Sequence, residues 1–330
     1  MPEHAHHNLL LRKSMRNYKK RFIFIALLVI LILIILIFFL GSDNSERSQE
    51  NGIIDNITNY IKPNNNTRQP NETINEGLIT IISGGIQREF FVDLPMSYTT
   101  NSKFPLVLSF HGSGGTYQRQ AAFYTDLIER DNFIGVFPQG VNGRWNSVIV
   151  NNVDDVADDI SFVSEIIDYL KSNYSVDEDR LYVLGNSNGA GLAHRLGVEM
   201  PNIFAAIVAM SASVEDDLAV DHQYSQSILQ IHGQKDQTVP YFGGTGPFGI
   251  EFMSAEDSIA FWAESNSCQP VPQVDKSKKE FIIYSYSDCR NDVSVQLLTI
   301  VNGNHGIGGE YKGLTREELA LRFVKDKKLK

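Results

Sequence analysis

The amino-acid sequence predicts an α/β fold: a mostly parallel central sheet with helices on both faces, preceded by an N-terminal β-hairpin. Three observations support this prediction. The stretch "GLITIISGGIQREFFVDLP" alternates apolar and polar residues around Gly84-Gly85, which is typical of an antiparallel hairpin. Apolar runs then alternate with helical patterns along the chain, as in sheets covered on both faces. Residues 158–171 place their apolar side chains on one helical face.

The predicted elements follow one another in a regular order. Strands are expected in "FPLVLSFHG", "FIGVFP", "RLYVLGN", "FAAIVAMSA", "SILQIHG", "EFIIYSYS" and "VSVQLLTIVNG". Helices are expected at 118–130, 158–171, 188–200 and 254–265, and a last one begins at Thr315, where Glu318 completes a capping box. Sheets of this kind bind ligands beyond the carboxyl ends of their strands. Candidate functional residues should therefore follow strands directly.

The N-terminal part of the chain differs from the rest. Residues 1–21 form a basic segment, and the nineteen residues 22–40 are all apolar. At ~1.5 Å per residue this run spans about 28 Å, close to the ~30 Å hydrocarbon core of a bilayer. We predict an uncleaved transmembrane signal anchor with a cytoplasmic N-terminus. A cleaved signal, which would leave a secreted protein, is the alternative.

The segment after the anchor is polar. Residues 41–76 are rich in Asn, Ser and Thr and are interpreted as a flexible stalk, and 77–330 as the folded domain. Beyond residue 40 the chain has 23 basic and 38 acidic residues, a net charge of −15. This charge argues against nucleic acid as a partner. The expected partners are the bilayer, through the N-terminal helix, and a small-molecule or oligomeric substrate.

Two cysteines, Cys268 and Cys289, are present. In an extracellular or lumenal compartment they are expected to form a disulfide across a short loop, and two buried free thiols are the alternative.

Ser187 is the candidate nucleophile. It lies in the G-x-S-x-G sequence Gly185-Asn186-Ser187-Asn188-Gly189, between a predicted strand and a predicted helix. In that context the pattern is typical of a nucleophile elbow, where small neighbours avoid clashes in a strained turn. A plain turn serine is the alternative.

A serine nucleophile requires a base and a group that orients the base. His305, in the Gly-rich loop after the last strand, is the predicted base. Asp236, a few residues past another strand, is the predicted orienting carboxylate. The chain order Ser, Asp, His is the order of α/β-hydrolases. His111 and His232, each before a glycine at a strand end, are interpreted as structural.

The tetrahedral oxyanion needs backbone donors. Asn188 supplies one as the residue after the nucleophile, and Ser113 of "HGSGG" is our choice for the other, with Gly112 and Gly114 left open. Trp145, in a long loop, is the candidate substrate contact, and a buried packing role is the alternative. Acidic residues near position 158 are expected to cap a helix, and neither a metal nor a cofactor is predicted.

These motifs resemble the polyhydroxybutyrate depolymerase-like esterases, α/β-hydrolases related to feruloyl and acetylxylan esterases. The matching pieces extend over about residues 78 to 325: "HGSGG", "WN", "DDISFV", "VDEDRLYVLGNSNGAGLAHRL", "IHGQKDQTVPYFGG", the cysteine pair and "GNHG". The resemblance implies ester hydrolysis through an acyl-enzyme by Ser187, Asp236 and His305, and a Cys268–Cys289 bridge. The histidine loop "NGNHGIGG" departs from the family by lacking Trp and Pro.

The expected function is therefore that of an outward-facing, membrane-anchored serine esterase. Hydroxyalkanoate oligomers, feruloyl esters and similar small esters are the substrates that the resemblance suggests. Two alternatives remain: a serine peptidase of the same fold, which would normally carry an additional propeller or cap domain, and a non-catalytic cell-surface binding protein on a hydrolase scaffold.

Overall fold

The computed structural model describes residues 77–147, 157–216, 218, 225–306, 311 and 313–329. The predicted basic segment (1–21), transmembrane anchor (22–40) and stalk (41–76) lie outside these residues. Within the described ranges, no helix has both the length and the apolar character needed to cross a membrane.

Twelve strands are found in the described residues, ten of them in one sheet and two in a small ribbon. In chain order they are β1 (Gly77–Ser83), β2 (Ile86–Asp93), β3 (Phe104–Phe110), β4 (Ile134–Pro138), β5 (Val176–Asn186), β6 (Ala206–Met210), β7 (Ser227–Gly233), β8 (Gly244–Thr245), β9 (Glu251–Phe252), β10 (Gln273–Asp275), β11 (Phe281–Tyr286) and β12 (Val295–Ile300).

Six α-helices occur in the same ranges, together with 3₁₀ turns at Pro247–Gly249 and Arg290–Asp292. The helices are α1 (Tyr117–Ala122), α2 (Thr125–Asp131), α3 (Asp159–Asn173), α4 (Asn188–Glu199), α5 (Ala255–Ser265) and α6 (Arg316–Val324). The single helix predicted at 118–130 is wrong, because it is two helices. The N–H groups of Phe123 and Tyr124 donate to carbonyls three residues back, and this tighter pattern ends α1.

The sheet has the strand order β1-β2-β4-β3-β5-β6-β7-β12-β11-β10. The six central strands, from β4 to β12, are parallel to one another. The strands outside them, β2 and β1 at one end and β11 and β10 at the other, each pair antiparallel with the strand on their inner side. Strands β1 and β2 form a hairpin that turns at Gly84 and Gly85, whose φ angles of 57° and 80° suit glycine in a two-residue turn.

Helices cover both faces of the sheet. Alternate side chains of β5 enter two separate apolar clusters: Leu181 and Val183 pack with α3, α4 and α5, and Tyr182 and Leu184 pack with α1, α2 and α6. The predicted fold class, a mostly parallel sheet between helical layers, is therefore confirmed.

The predicted disulfide is confirmed as well. Cys268, just after α5, is bonded to Cys289, just after β11, across a sequence separation of 21 residues.

The acidic residues near position 158 have two different roles. Asp158 caps α3 by accepting a hydrogen bond from the Ser161 N–H, as predicted. Asp159 is instead buried and lies 2.6 Å from a guanidinium nitrogen of Arg88 on β2. Its other oxygen accepts from the Asn146 N–H, so this ion pair anchors the loop after β4.

Candidate active site

Ser187 lies in a sharp turn between β5 and α4. Its φ of 53° and ψ of −120° are strained for a residue with a side chain, and its N–H donates to the Met210 carbonyl at 2.8 Å. The two glycines of the motif are required because a larger side chain at either position would clash with the backbone. A Cβ on Gly185 would lie 2.1 Å from the Gly189 oxygen, and a Cβ on Gly189 would lie 2.4 Å from the Phe110 oxygen. The close approach of β3, β5 and α4 thus explains the G-x-S-x-G pattern.

Ser187, His305 and Asp236 are brought together at the carboxyl ends of β5, β12 and β7. Ser187 Oγ is 2.8 Å from His305 Nε2, and His305 Nδ1 is 2.8 Å from Asp236 Oδ2. Because a carboxylate only accepts hydrogen bonds, the His305 proton belongs on Nδ1, and Nε2 is left to accept the serine proton. The imidazole is 28% exposed, so a ligand can reach it, whereas the Asp236 side chain is completely buried.

Four N–H groups surround the Asp236 carboxylate. Oδ1 accepts from the backbone of Thr238 and Val239, and Oδ2 lies within reach of ring nitrogens of His305 and His232. Burial acts to raise the pKa of Asp236, but the hydrogen bonds from the two histidines outweigh it and hold the pKa well below its usual range. The site therefore keeps this carboxylate ionised.

Two residues that the sequence did not single out hold the histidine loop in place. The Ser211 hydroxyl donates to the His305 carbonyl at 2.9 Å. Arg316, the first residue of α6, donates to Asn186 Oδ1 at 3.1 Å and to the Gly306 carbonyl at 3.4 Å. It thus connects the residue before the nucleophile to the residue after the histidine.

The loop after β3 lies beside Ser187: a Cβ on Gly112 would be 3.3 Å from the Ser187 Cβ, and Ser113 lines the same cavity as Ser187. The Gly112 carbonyl accepts from His111 Nδ1 at 2.8 Å and from the Gly115 N–H at 2.9 Å. In a trans peptide the N–H points opposite to the C=O, so this anchoring directs the Ser113 N–H away from His111. Across the described ranges no acceptor is found for the Ser113 N–H, whereas the Gly114 N–H donates to Gly143. Of the alternatives left open by the sequence, Gly114 is thus the least suitable donor.

His111 has the structural role expected from the sequence. Its Nε2 accepts from the Gly140 N–H at 3.1 Å, which leaves the proton on Nδ1 for the Gly112 carbonyl. Burial lowers the pKa of His111.

Asn188 is the first residue of α4, so its backbone N–H has no acceptor within the helix. Its side chain makes a different set of hydrogen bonds. Its Oδ1 accepts from the Trp145 N–H at 2.7 Å, and its Nδ2 donates to the Trp145 carbonyl and to Ser147 Oγ, both at 3.0 Å. The residue after the nucleophile therefore binds the loop that follows β4.

Trp145 is not placed as the substrate contact expected from the sequence. The ring is 4% exposed, packs edge-to-face on Phe110 and donates from Nε1 to the His111 carbonyl at 2.8 Å. The alternative, a buried packing tryptophan, describes it better. A loop position alone could not distinguish the two, because the direction of the ring depends on tertiary packing.

A small cavity of about 50 Å³ opens at Ser187. Its lining is mostly small or apolar and comprises Ser113, Ser147, Ser187, Asn188, Gly191, Ala212, Val239, Pro247, Phe248, Ile250 and Phe252. It thus includes both predicted oxyanion residues and the predicted nucleophile. In the described ranges no cluster of His, Cys, Asp or Glu side chains is arranged to hold a metal ion.

Residues 83–285 match a family model described as "Putative esterase". The chain belongs to this esterase family. Among curated relatives, Feruloyl esterase B of Piromyces equi is 26% identical over 236 residues, which are 67% of this chain and 43% of that protein. Probable feruloyl esterase C of Aspergillus clavatus is 27% identical over 166 residues, 48% of this chain and 58% of that protein. The chain thus spans about half the length of these esterase relatives.

A solved structure supports the fold of this esterase family member. The acetyl xylan esterase from Aspergillus awamori superposes with a TM-score of 0.55 at 14% identity, over 75% of this chain and 98% of that one. The predicted resemblance to feruloyl and acetylxylan esterases and the predicted α/β-hydrolase fold are both confirmed.

Proposed function

We propose that this chain is a serine esterase that hydrolyses carboxylic esters through an acyl-enzyme. The observation that supports the proposal is the continuous hydrogen-bonded chain from Ser187 Oγ through His305 to Asp236, with 2.8 Å at each step. In this proposal Ser187 is the nucleophile, His305 is the general base and Asp236 holds the imidazole in the productive tautomer.

The reaction proceeds in two halves. As Ser187 Oγ attacks the ester carbonyl, His305 Nε2 takes its proton, and the N–H groups of Ser113 and Asn188 bind the developing oxyanion. The tetrahedral intermediate collapses, and His305 returns the proton to the departing alcohol. Water then attacks the acyl-serine with the same base, which releases the acid and restores the hydroxyl.

The proposed substrates are small carboxylic esters, including short hydroxyalkanoate oligomers and feruloyl-type esters. The size of the cavity and the presence of Gly191 and Ala212 in its lining favour a short acyl group at Ser187. The names of the curated relatives, feruloyl esterase B and probable feruloyl esterase C, support carboxylic esters as substrates but favour a larger, aromatic acyl group than the cavity does.

We also propose how the whole chain is organised. Residues 1–21 are cytoplasmic, 22–40 form a signal anchor in the bilayer, 41–76 form the stalk and 77–330 form the catalytic domain outside the cell or in a secretory lumen. The proposal rests on the nineteen-residue apolar run and the basic residues before it. Cleavage of the segment would leave a secreted enzyme.

A fluorophosphonate probe tests the catalytic role of Ser187 directly. We expect the wild-type chain to be labelled and Ser187→Ala to be unlabelled, with hydrolysis of p-nitrophenyl acetate reduced by about 10⁴-fold or more. Ser277→Ala, at an exposed serine in the loop between β10 and β11, is the matched control and should retain both activities. An unlabelled wild type, or labelling that persists in Ser187→Ala, would contradict the proposed mechanism.

The same assay separates the substrate classes. p-Nitrophenyl esters of increasing acyl length, methyl ferulate and 3-hydroxybutyrate oligomers would be compared by kcat/KM. The small cavity predicts a preference for the shortest acyl groups. Hydrolysis of peptides in place of these esters would instead favour a serine peptidase.

A further inference from the structure

We propose that His232 is a positioning residue that acts through Asp236, by sharing its Nε2 proton between the Val239 carbonyl and the Asp236 oxygen that also binds His305. The inference rests on the proposed esterase function, since it assigns a role within the same site. It concerns a buried histidine on β7 that the proposed mechanism does not otherwise use.

His232 is fully enclosed beneath the site. It is 0% exposed and pairs in register with Thr299 on β12, the strand that leads to the His305 loop. Its Nε2 lies 3.1 Å from the Val239 carbonyl and 3.3 Å from Asp236 Oδ2. The ring of Tyr241 packs edge-to-face against it, with 5.6 Å between the ring centroids.

The hydrogen bonds around the ring determine which nitrogen carries the proton. A carbonyl and a carboxylate only accept, so both contacts of Nε2 require a proton on Nε2. At the other nitrogen, Gln230 Nε2 lies 3.4 Å from Nδ1. An amide nitrogen only donates, so Nδ1 is the acceptor.

The orientation of the Gln230 amide is itself set by neighbours. Ser258 Oγ accepts from the Val214 N–H at 2.9 Å and directs its own proton to Gln230 Oε1 at 2.7 Å. This arrangement places Gln230 Nε2 toward His232 and Ser213. A buried chain of hydrogen bonds thus runs from Ser258 through Gln230 to His232, whose Nε2 lies 3.3 Å from Asp236 Oδ2.

The position of His232 has two consequences for the base. First, His232 Nε2 also contacts Asp236 Oδ2, and this contact opposes rotation of the carboxylate away from His305 Nδ1. Second, two imidazole nitrogens face one carboxylate oxygen, so removing the His232 donor would leave that oxygen to His305 alone. Among the described residues, Arg316 contacts Gly306 and pairs with Glu317, and the Lys235 N–H donates to the Gly303 carbonyl of the same loop. A change at position 232 removes none of these charges.

Two substitutions separate the donor from the bulk of the ring. In His232→Gln the side-chain amide nitrogen reaches about as far as Nε2, whereas in His232→Asn it reaches only about as far as Nδ1. We expect His232→Asn to lower kcat about 10- to 100-fold with little change in KM. This factor is the one expected when a hydrogen bond to a charged group is lost. The acidic limb of the kcat/KM profile should move to higher pH by about 0.5 units or more, and His232→Gln should restore most of both.

His194→Gln is the matched control. His194 is also buried, but it accepts from Trp262 and makes no contact with the triad. The substitution His194→Gln should lower the thermal unfolding temperature without moving the acidic limb of the kcat/KM profile. All variants would be assayed with p-nitrophenyl acetate from about pH 5 to 9, with circular dichroism verifying the fold.

Three outcomes are informative. A folded His232→Asn with unchanged kcat and an unmoved limb would overturn the proposal. If His232→Asn does not fold, His232→Ala replaces it as the variant without a donor, and unchanged kcat with an unmoved limb in a folded His232→Ala would overturn the proposal. A folded His232→Gln whose kcat falls about 10-fold or more would also overturn it, because this variant keeps the donor. An inactive wild type that fluorophosphonate does not label would instead reject the proposed function itself.

Discussion

Asp236 illustrates how single residues define this site. Its side chain is completely buried, yet Oδ1 accepts from the backbone N–H groups of Thr238 and Val239, and Oδ2 lies 2.8 Å from His305 Nδ1 and 3.3 Å from His232 Nε2. Those hydrogen bonds hold its pKa below the usual range against the opposing effect of burial. The carboxylate thus stabilises the folded state as well as orienting the proposed base.

Asp236→Asn should affect stability and activity in distinct ways. Because the folded-state pKa is depressed, the carboxylate stabilises the fold fully above its unfolded value of about 3.8 and progressively less as pH falls below it. The free energy of unfolding of the wild type should therefore decrease relative to Asp236→Asn below about pH 3.8. At neutral pH the variant should lose about 10⁴-fold in kcat, because an amide nitrogen facing Nδ1 favours the wrong tautomer.

Urea unfolding at several pH values and ester hydrolysis at pH 7 would measure these effects. Asp168→Asn, at an exposed position of α3, is the control and should change neither. A parallel pH dependence for wild type and Asp236→Asn would contradict the prediction.

At the residue level, the sequence predicts the positions that follow strands and misses those that act through tertiary contacts. Ser187, Asp236 and His305 each come shortly after a predicted strand, so parallel topology alone brings them to one edge of the sheet. Ser211 directly follows β6 but lies inside the predicted strand "FAAIVAMSA", and Arg316 follows no strand. Their partners, the His305 carbonyl and Asn186 Oδ1, lie 94 and 130 residues away, and ordinary serines and arginines look the same in a linear chain.

At the level of elements, periodicity predicts the long buried segments and misses the short ones. The central strands are apolar on both sides and were located from the sequence, as was α6 from its capping box. Strand β10 is three exposed residues, Gln273–Asp275, and is visible only through its pairing with β11. The break between α1 and α2 is likewise invisible to periodicity, because both helices bury the same face.

The Cys268–Cys289 disulfide links two of these elements, the end of α5 and the turn after β11. Closing a loop with a separation of 21 residues lowers the entropy of the unfolded chain, by an amount equivalent to about 3 kcal/mol. We expect Cys268→Ser/Cys289→Ser to lower the free energy of unfolding by about that amount in urea titrations. Reductant should shift the wild-type midpoint and leave the double variant unchanged. A wild-type midpoint that does not respond to reductant would contradict this expectation.

At the level of the whole molecule, charge and hydropathy divide the chain more clearly than any motif. A basic N-terminus with a net charge of +5 through residue 40 precedes a body with a net charge of −15. A negative body is repelled by anionic lipid surfaces, so attachment to a bilayer would depend on the apolar run 22–40 alone.

Membrane fractionation tests this dependence. We expect the full chain to sediment with membranes, to resist washing at alkaline pH and to be released by detergent, because a run of nineteen apolar residues is long enough to cross a bilayer. A chain lacking residues 22–40 should remain in the supernatant with its esterase activity intact. Recovery of the wild-type activity from culture medium would indicate cleavage of the anchor instead.

The two asparagines flanking Ser187 have a consequence for how such proteins are recognised and altered. G-x-S-x-G notation treats these positions as freely variable, but here Asn186 accepts from Arg316 and Asn188 pairs with both backbone groups of Trp145. Asn188→Asp would keep the acceptor and lose the donor, which would disconnect the loop at its carbonyl side. Motif searches that accept any residue at positions 186 and 188, and mutant libraries that randomise them, would therefore lose these contacts. The contacts keep the histidine loop and the loop after β4 aligned with the nucleophile.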